Sequence, residues 1–328
     1  MSEIAPNTKP DRIVSLIASA TEIICALGAR DRLVGRSHEC DYPGDVLSLP
    51  QLTEAKFPVA GTSYDIDQRV KAIVQEGLSV YRVDAEALEA LDPDVIVTQD
   101  HCEVCAVSLS DVEDAVCTFA KGPGGQGAEI VSLHPDSLAD IWSDIRKVAK
   151  AIGDVEAGEQ LIEDARDRMT WIAGLTAKAE GKPRIAMIEW IDPLMGGGNW
   201  MPELVELASG IDFLAKPGEP SPWVEWDDIR NTDPEVIFVH PCGFDIARTL
   251  EEMPSLEQRP GWNDLKAVRE NKVFVADGNQ YFNRPGPRVV ESLQILAEIL
   301  HSDLFPPSFE GKGWVRYDGS SSAASSAA

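Results

Sequence analysis

The chain has 328 residues, of which 44% are hydrophobic, and it carries a formal net charge of -26 at pH 7. This length predicts two domains, because a single domain usually holds about 100–200 residues. The charge argues against binding to nucleic acid or to anionic lipid, since both would be repelled, and no apolar run approaches the roughly 18 residues of a membrane-inserted helix.

The N-terminal arm, MSEIAPNTKPDR, contains no apolar core behind a basic start, which is unlike a secretory signal peptide. We therefore expect a cytoplasmic protein, or a periplasmic one if a leader has been removed. The six cysteines are too few for a disulfide scaffold in so long a chain, so free thiols are expected.

Short apolar runs alternate with helical patterns after this arm. RIVSL has the length and the β-branched content of a buried strand, and SATEIICALGA continues with helical spacing. LVGR, LSVYRV, DVIVTQ and AEIVSL repeat the strand pattern further along the chain. This alternation predicts a parallel sheet flanked by helices, and we assign it to an N-terminal α/β lobe of residues 11–134.

A long amphipathic stretch follows, and its apolar face runs from Leu138 to Leu175. We expect residues 135–180 to form one linking helix, which would be roughly 60 Å long at about 1.5 Å per residue. Gly153 could instead break the stretch into two consecutive helices.

The strand pattern resumes with RIAMIEW, EVIFVH and KVFVA, which are interleaved with the helical segments MPELVELASG and RVVESLQILAEIL. We assign these segments to a C-terminal α/β lobe of residues 183–305. The motif LDPDVIV at residues 91–97 is echoed by TDPEVIFV at residues 232–239, which favours two paired lobes. Residues 315–328, which end in SSSAASSAA, lack apolar anchors and are expected to be disordered.

The order of several motifs resembles a known family. RIVSLIASATEIICALGA, LVGRSHECDYP, ALDPDVIV, GGGNWMPELVELASG and VFVADGNQYFNRPGPRVVESLQIL resemble the cobalamin-binding members of the substrate-binding proteins of ABC importers. The resemblance implies a class III periplasmic-binding-protein-like fold, in which two Rossmann-like lobes with parallel sheets are joined by one long backbone helix. It also implies a monomeric, non-enzymatic receptor that holds a corrinoid or related metal chelate in the cleft between the lobes and works with an ABC permease.

A corrinoid is a broad, mostly apolar macrocycle edged with amides, so its receptor needs flat aromatic walls and a few hydrogen-bonding groups. By resemblance, Tyr42, Trp190 and Trp223 match ligand-stacking aromatics of the family. Arg284 matches an arginine at the rim of the cleft. Further candidates near predicted strand ends and loops are Tyr64, His101, Gly197, Asn199 and Gln280. Cobalamin would be the ligand, and no resident cofactor is required.

The stretch DHCEVCAVS at residues 100–108 allows a different chemistry. Cys102 and Cys105 have zinc-like spacing, although no second CxxC pair accompanies them. A zinc-site protein or an intracellular sensor is therefore an alternative, and its candidate ligands are His38, Cys40, His101, Cys102 and Cys105. Alternatively, His101 could take an axial position on cobalt, and the two cysteines could be unpaired thiols or a redox disulfide.

The resemblance further implies that one acid on each lobe docks to arginines of the permease. The matching positions are Glu22 in SATEI and Glu206 in PELVELASG. Exposed charges of this kind act mainly on the orientation and the rate of docking. Without that role, both would be ordinary acids on a helix surface.

Overall fold

The computed structural model describes residues 9–75, 80–100 and 127–319. The described residues fold as two compact units. Unit 1 holds residues up to 59, residues 70–134 and residues 139–163, whereas unit 2 holds residues 60–69, residues 135–138 and the chain from residue 164 onward. The chain therefore contributes a short N-terminal segment to unit 2 before it returns to unit 1.

The secondary structure follows the alternating pattern that the sequence predicts. The strands are β1 (Ile13–Ser15), β2 (Leu33–Arg36), β3 (Thr53–Ala55), β4 (Tyr81–Val83), β5 (Val95–Gln99), β6 (Glu129–Leu133), β7 (Arg184–Trp190), β8 (Met195–Gly196), β9 (Ile211–Asp212), β10 (Val236–Val239), β11 (Val273–Ala276) and β12 (Trp314–Arg316). The helices are α1 (Ala18–Ala26), α2 (Ser63–Gln75), α3 (Ala85–Leu91), α4 (Leu138–Ala151), α5 (Val155–Thr176), α6 (Met201–Leu207), α7 (Trp226–Thr232), α8 (Ile246–Glu257), α9 (Lys266–Arg269) and α10 (Val289–Leu300). Among the residues described, no helix combines the length and the apolar character needed to cross a bilayer.

Unit 1 is built on a parallel sheet with the strand order β2-β1-β5-β6. At its centre, Val14 of β1 lies between Gly35 of β2 and Ile96 of β5. Gly35 is closely packed, because a Cβ atom at this position would lie 2.6 Å from the side chain of Leu52 and 2.8 Å from that of Leu91.

LSVYRV does not join this parallel sheet, although its pattern resembles the other strands. Its strand, β4, pairs antiparallel with β3 in a separate two-stranded sheet. Tyr81 is buried and Arg82 is exposed. This alternation is typical of a strand with one buried face, whereas the residues of β5 are buried throughout.

Unit 2 is built on a mixed sheet with the strand order β12-β11-β10-β7-β8, and β9 also pairs with β7. The strands β7, β10 and β11 run parallel, whereas β8 and β12 run antiparallel to their neighbours. Every residue of β10 and β11 is buried. One face of the sheet packs against apolar side chains of α7 and α8 in a shared hydrophobic cluster.

The echoed motifs LDPDVIV and TDPEVIFV build the same local structure in both units. Each ends a helix with an aspartate in the left-handed region, at φ 43° in unit 1 and φ 47° in unit 2. Two residues later, the carboxylate of Asp94 accepts the backbone N–H of Arg12 at 3.0 Å. Likewise, the carboxylate of Glu235 accepts the N–H of Arg184 at 2.8 Å. Each carboxylate therefore joins the start of its own strand to the start of the neighbouring strand.

The amphipathic stretch between the lobes forms two helices, α4 and α5, instead of one. Gly153 has φ 77°, a conformation that L side chains rarely adopt, and the N–H of Asp154 bonds back to the carbonyl of Ala149. The helix α5 then packs closely on α4, since a Cβ atom on Gly158 would lie 2.5 Å from that of Ala149. The structure therefore shows two consecutive helices separated at Gly153, and the prediction of one linking helix is wrong.

The C-terminal tail is ordered further than its sequence indicates. The sequence predicts disorder for residues 315–328, but β12 pairs with β11 across this point. The buried carboxylate of Glu298 anchors the new strand, because it accepts the indole N–H of Trp314 at 3.0 Å and the backbone N–H of Phe309 at 3.1 Å. The disorder prediction is wrong for the start of this segment, and residues from 320 onward lie outside the described residues.

Replacing Glu298 with alanine tests this anchor. Glu298→Ala leaves a buried indole N–H and a partly buried backbone N–H without their acceptor, so we expect the free energy of unfolding to fall by about 2–4 kcal/mol. Urea unfolding followed by circular dichroism measures the change. Asp303→Ala removes an exposed carboxylate nearby and should change the free energy by less than about 0.5 kcal/mol. Equal losses in the two variants would contradict the anchor.

Candidate functional site

Ligands of open parallel sheets bind beyond the carboxyl ends of the strands, so both sheets offer a candidate edge. In unit 1, His38 follows β2, and its Nδ1 lies 2.7 Å from the hydroxyl of Thr53. The ring of Tyr81 is 5.1 Å away. Burial lowers the pKa of His38, and the nearby Arg36 guanidinium lowers it further. A partly buried, neutral imidazole therefore lies at the end of this strand.

The strands β5 and β6 end in a carboxylate and an imidazole that contact each other. Asp100 Oδ1 lies 2.7 Å from His134 Nδ1, and the two side chains are 44% and 51% exposed. Burial works to raise the pKa of Asp100, but bonds from His134 and Ser132 outweigh it and lower this pKa. An exposed acid–imidazole pair therefore lies at the carboxyl edge of unit 1.

The other predicted residues of unit 1 differ in exposure. Tyr42 follows β2 and is 44% exposed, as a stacking residue requires. Cys40 is fully buried, and its sulfur accepts the hydroxyl of Thr21 at 3.0 Å. His101, Cys102 and Cys105 lie outside the described residues. Among the residues that the structure describes, no three His, Cys, Asp or Glu side chains are grouped to hold a metal ion.

Two predicted tryptophans come together at the end of β7 in unit 2. Trp190 is the last residue of β7 and pairs with Met195 of β8, and Met195 in turn pairs with Trp223. Residues paired across antiparallel strands point to one face and lie about 5 Å apart, so both indoles belong to one face of a ribbon. Trp190 also contacts Phe244 beyond β10, with ring centroids 5.2 Å apart. We call Trp190, Met195 and Trp223 the tryptophan ribbon.

A carboxyl group with a raised pKa lies directly beside the tryptophan ribbon. Burial raises the pKa of Glu189 to about 7, although bonds from Ser221 and Gly198 work against the shift. The hydroxyl of Ser221 donates to Glu189 Oε2 at 2.9 Å and accepts the N–H of Gly198 at 3.1 Å. Sequence reasoning missed Glu189, and the one available signal is an acid that follows the apolar residues IAMI of β7.

A buried histidine follows β10 at the same edge. Burial lowers the pKa of His240 to about 3, so the imidazole is neutral, and its two ring nitrogens have no hydrogen-bond partner among the described residues. A Cβ atom on Gly197 would lie 3.2 Å from this ring, so the backbone of this glycine packs directly against His240, and its contact with ligand stays a prediction. Asn199 follows with φ 53°, and its Oδ1 is buried without a partner in the described part of the chain.

The loop after β11 carries the predicted Arg284 and Gln280. Arg284 is only 4% exposed and donates to Asn279 Oδ1 at 3.2 Å. Gln280 Oε1 accepts a hydrogen bond from Arg288 at 3.0 Å, and that guanidinium covers the ring of Tyr281. The arginine expected at an open rim is therefore a buried part of the loop, and its contact with ligand stays a prediction.

The remaining predicted residues lie on helices. Tyr64 is 50% exposed in the first turn of α2, within unit 2. Glu206 on α6 is exposed and lines a groove of about 820 Å³ with Glu203 and Asp212. Glu22 on α1 is only 4% exposed, which is less than a surface docking contact needs. The docking roles of Glu22 and Glu206 stay predictions.

The sequence matches the family described as periplasmic binding protein over residues 13–279. The chain belongs to the periplasmic binding protein family. This assignment confirms the family that the sequence motifs predict. The mixed α/β fold, with parallel strands flanked by helices, confirms the expected class III fold of such proteins.

Similar proteins cover most of this periplasmic binding protein. The uncharacterized ABC transporter substrate-binding lipoprotein YvrC of Bacillus subtilis is 23% identical, over 92% of this chain and 84% of that protein. A vitamin B12-binding protein of Vibrio parahaemolyticus is 23% identical, over 90% of this chain and 91% of that protein. Both relatives therefore extend over the two units and not over one of them.

Solved structures share the fold. The periplasmic vitamin B12-binding protein BtuF of Vibrio cholerae has a TM-score of 0.62 at 20% identity and covers 89% of this chain and 97% of its own. The periplasmic heme-binding protein RhuT of Roseiflexus sp. RS-1 has a TM-score of 0.64 at 21% identity and covers 89% and 98%. At these identities, the likeness shows the fold alone.

The raised pKa of Glu189 predicts a pH-dependent stability. The folded protein holds this proton up to about pH 7, whereas an unfolded glutamate releases it near pH 4.3, so the free energy of unfolding falls as the pH rises between these values. Relative to the wild type, Glu189→Gln should gain about 2–3 kcal/mol between pH 4.5 and pH 8.

Urea unfolding of both proteins at the two pH values measures this difference. Asp212 also has a pKa raised by burial to about 7, but it is present in both proteins and cancels in the comparison. A difference between variant and wild type that does not change with pH would contradict the raised pKa of Glu189.

Proposed function

We propose that this protein is the substrate-binding component of an ABC importer and that it captures a corrinoid of the cobalamin type. The tryptophan ribbon is the observation that carries the proposal, because it presents two indoles on one face at the carboxyl edge of the sheet in unit 2. A flat, largely apolar macrocycle buries its surface best against such faces. Membership of the periplasmic binding protein family supports the same reading.

The surroundings of the tryptophan ribbon suit the amide rim of a corrinoid. Gly197 and Gly198 have no side chains, so their backbone groups lie close to this edge. The Oδ1 of Asn199 has no partner among the described residues. The carboxyl of Glu189 can accept or donate a hydrogen bond near neutral pH, because its pKa is raised to about 7. Such groups give orientation, while the indoles give most of the affinity. Tyr42 is the matching aromatic candidate of unit 1.

A heme-type chelate is the second candidate. Asp100 and His134 form an acid–imidazole pair at the carboxyl edge of unit 1, and histidines held by a carboxylate are frequent metal ligands. A porphyrin iron takes such an imidazole readily, whereas cobalamin needs no protein ligand to bind by stacking. A heme-type chelate would therefore depend on His134 in unit 1, whereas a corrinoid would depend on the tryptophan ribbon in unit 2.

The function is binding, with no catalytic step. We place the protein outside the cytoplasmic membrane, since its family and its lipoprotein relative are named for that location, in contrast to the cytoplasmic expectation from the N-terminal arm. A monomer would present Glu206 to a permease, because this acid is exposed on α6. The buried Glu22 is the weaker docking candidate.

Calorimetric titration with cyanocobalamin and with hemin tests the ligand. We expect the wild type to bind cyanocobalamin, and we expect Trp190→Ala and Trp223→Ala each to weaken binding roughly 10-fold, because each removes a stacking face worth about 1.4 kcal/mol. Trp171→Ala is the matched control, because Trp171 is an exposed tryptophan on α5.

Preference for hemin, with loss of binding in His134→Ala, would select the second candidate. Absence of binding to both chelates, or equal losses in all three tryptophan variants, would contradict the proposal.

A further inference from the structure

Residues 60–69, which we call the strap, belong to unit 2 although they lie in the N-terminal half of the sequence. The strap is organised locally before it packs. The backbone N–H of Thr62 donates to Asp65 Oδ2 at 3.0 Å, and the N–H of Asp65 donates in return to the Thr62 hydroxyl at 3.2 Å. This reciprocal pair is a capping box, which starts α2 at Ser63. The strap also carries the exposed Tyr64.

A buried carboxylate on α8 receives the first residue of this helix. Glu252 Oε1 accepts the backbone N–H of Ser63 at 3.1 Å, and Oε2 accepts its hydroxyl at 2.9 Å. Arg248, one turn earlier on α8, donates to Glu252 Oε1 at 2.7 Å and also donates to the carbonyl of Gly61. We call Ser63, Glu252 and Arg248 the strap anchor.

The strap anchor is a buried hydrogen-bond network and not a contact on the surface. Ser63 is fully buried and Glu252 is 4% exposed, so the carboxylate is removed from water. Its charge is compensated by one guanidinium, and both of its oxygens accept hydrogen bonds from the strap. A buried carboxylate that lost these donors would be strongly unfavourable, which gives the seated strap a defined geometry.

Arg248 links the strap to the candidate ligand edge. Its guanidinium lies over the ring of Phe244, 4.4 Å from the centroid. Phe244 in turn contacts Trp190 of the tryptophan ribbon. Arg248 could therefore donate to an oxygen at the rim of a ligand. Its Nη2 group already donates to Glu252 Oε1 and to the carbonyl of Gly61. A ligand oxygen and the Gly61 carbonyl would therefore compete for the same Nη2 group.

We propose that the strap is a removable cover for Arg248 and that Glu252 is the positioning residue that holds the strap in place. When the strap leaves this position, the guanidinium beside Phe244 becomes exposed to anionic or amide oxygens of a ligand. The role in ligand binding rests on the proposed function, whereas the seating itself does not. In this arrangement, the strap sets how quickly a ligand reaches this side of the edge.

Hydrogen exchange measured by mass spectrometry tests the seating without any ligand. In Ser63→Ala and Glu252→Gln, we expect the amides of residues 60–69 to exchange at least about 10-fold faster, while those of β10 keep their wild-type rate. Glu251→Gln is the matched control, because Glu251 neighbours Glu252 on α8, is exposed, and contacts Arg248 only at 3.4 Å. Should Glu252→Gln fail to fold, Ser63→Ala decides, since it removes one hydroxyl.

Reaction with phenylglyoxal, followed at Arg248 by mass spectrometry, tests the cover. Arg248 should react several-fold faster in both strap variants than in the wild type and in Glu251→Gln. Wild-type exchange in the strap, faster exchange shared equally by β10, or unchanged reactivity of Arg248 would each overturn the proposal. If the wild type does not bind cyanocobalamin, the proposed function is contradicted. The hydrogen-exchange and phenylglyoxal results would still decide whether the strap covers Arg248.

Discussion

The bond from a carboxylate to the start of a neighbouring strand fixes the geometry on which the candidate site depends. Asp94 holds the start of β1 beside β5, and Glu235 holds the start of β7 beside β10. Because these strands run parallel and are short, a register fixed at their amino ends also fixes their carboxyl ends. The loops that carry the candidate ligand residues begin there. The internal repeat therefore gives both units an equivalent carboxyl edge.

The two edges differ in chemistry. The edge of unit 1 carries imidazoles and a carboxylate, with His134 against Asp100. The edge of unit 2 carries the tryptophan ribbon, a carboxyl with a pKa near neutrality and a buried neutral imidazole. The second edge thus combines aromatic faces with polar groups, whereas the first carries an exposed acid–imidazole pair.

The sequence predicts those features that depend on neighbours along the chain. Buried strands such as VIVTQ and the echoed DPD/E motifs are local patterns, so the sheets and the family could be predicted. Apolar periodicity continues across Gly153, which hides the break between α4 and α5. Burial by distant segments could not be predicted, and it decides the raised pKa of Glu189, the low exposure of Arg284 and the anchoring of Trp314 by Glu298. The strap anchor likewise joins residues 189 positions apart.

We propose that a corrinoid binds at the carboxyl edge that carries the tryptophan ribbon. Crystals grown with cyanocobalamin, with anomalous diffraction recorded on both sides of the cobalt absorption edge, test it most directly. We expect one cobalt peak per chain, with the corrin ring in contact with Trp190 and Trp223. A cobalt peak elsewhere on the molecule, or none in crystals grown at saturating cyanocobalamin, would contradict it.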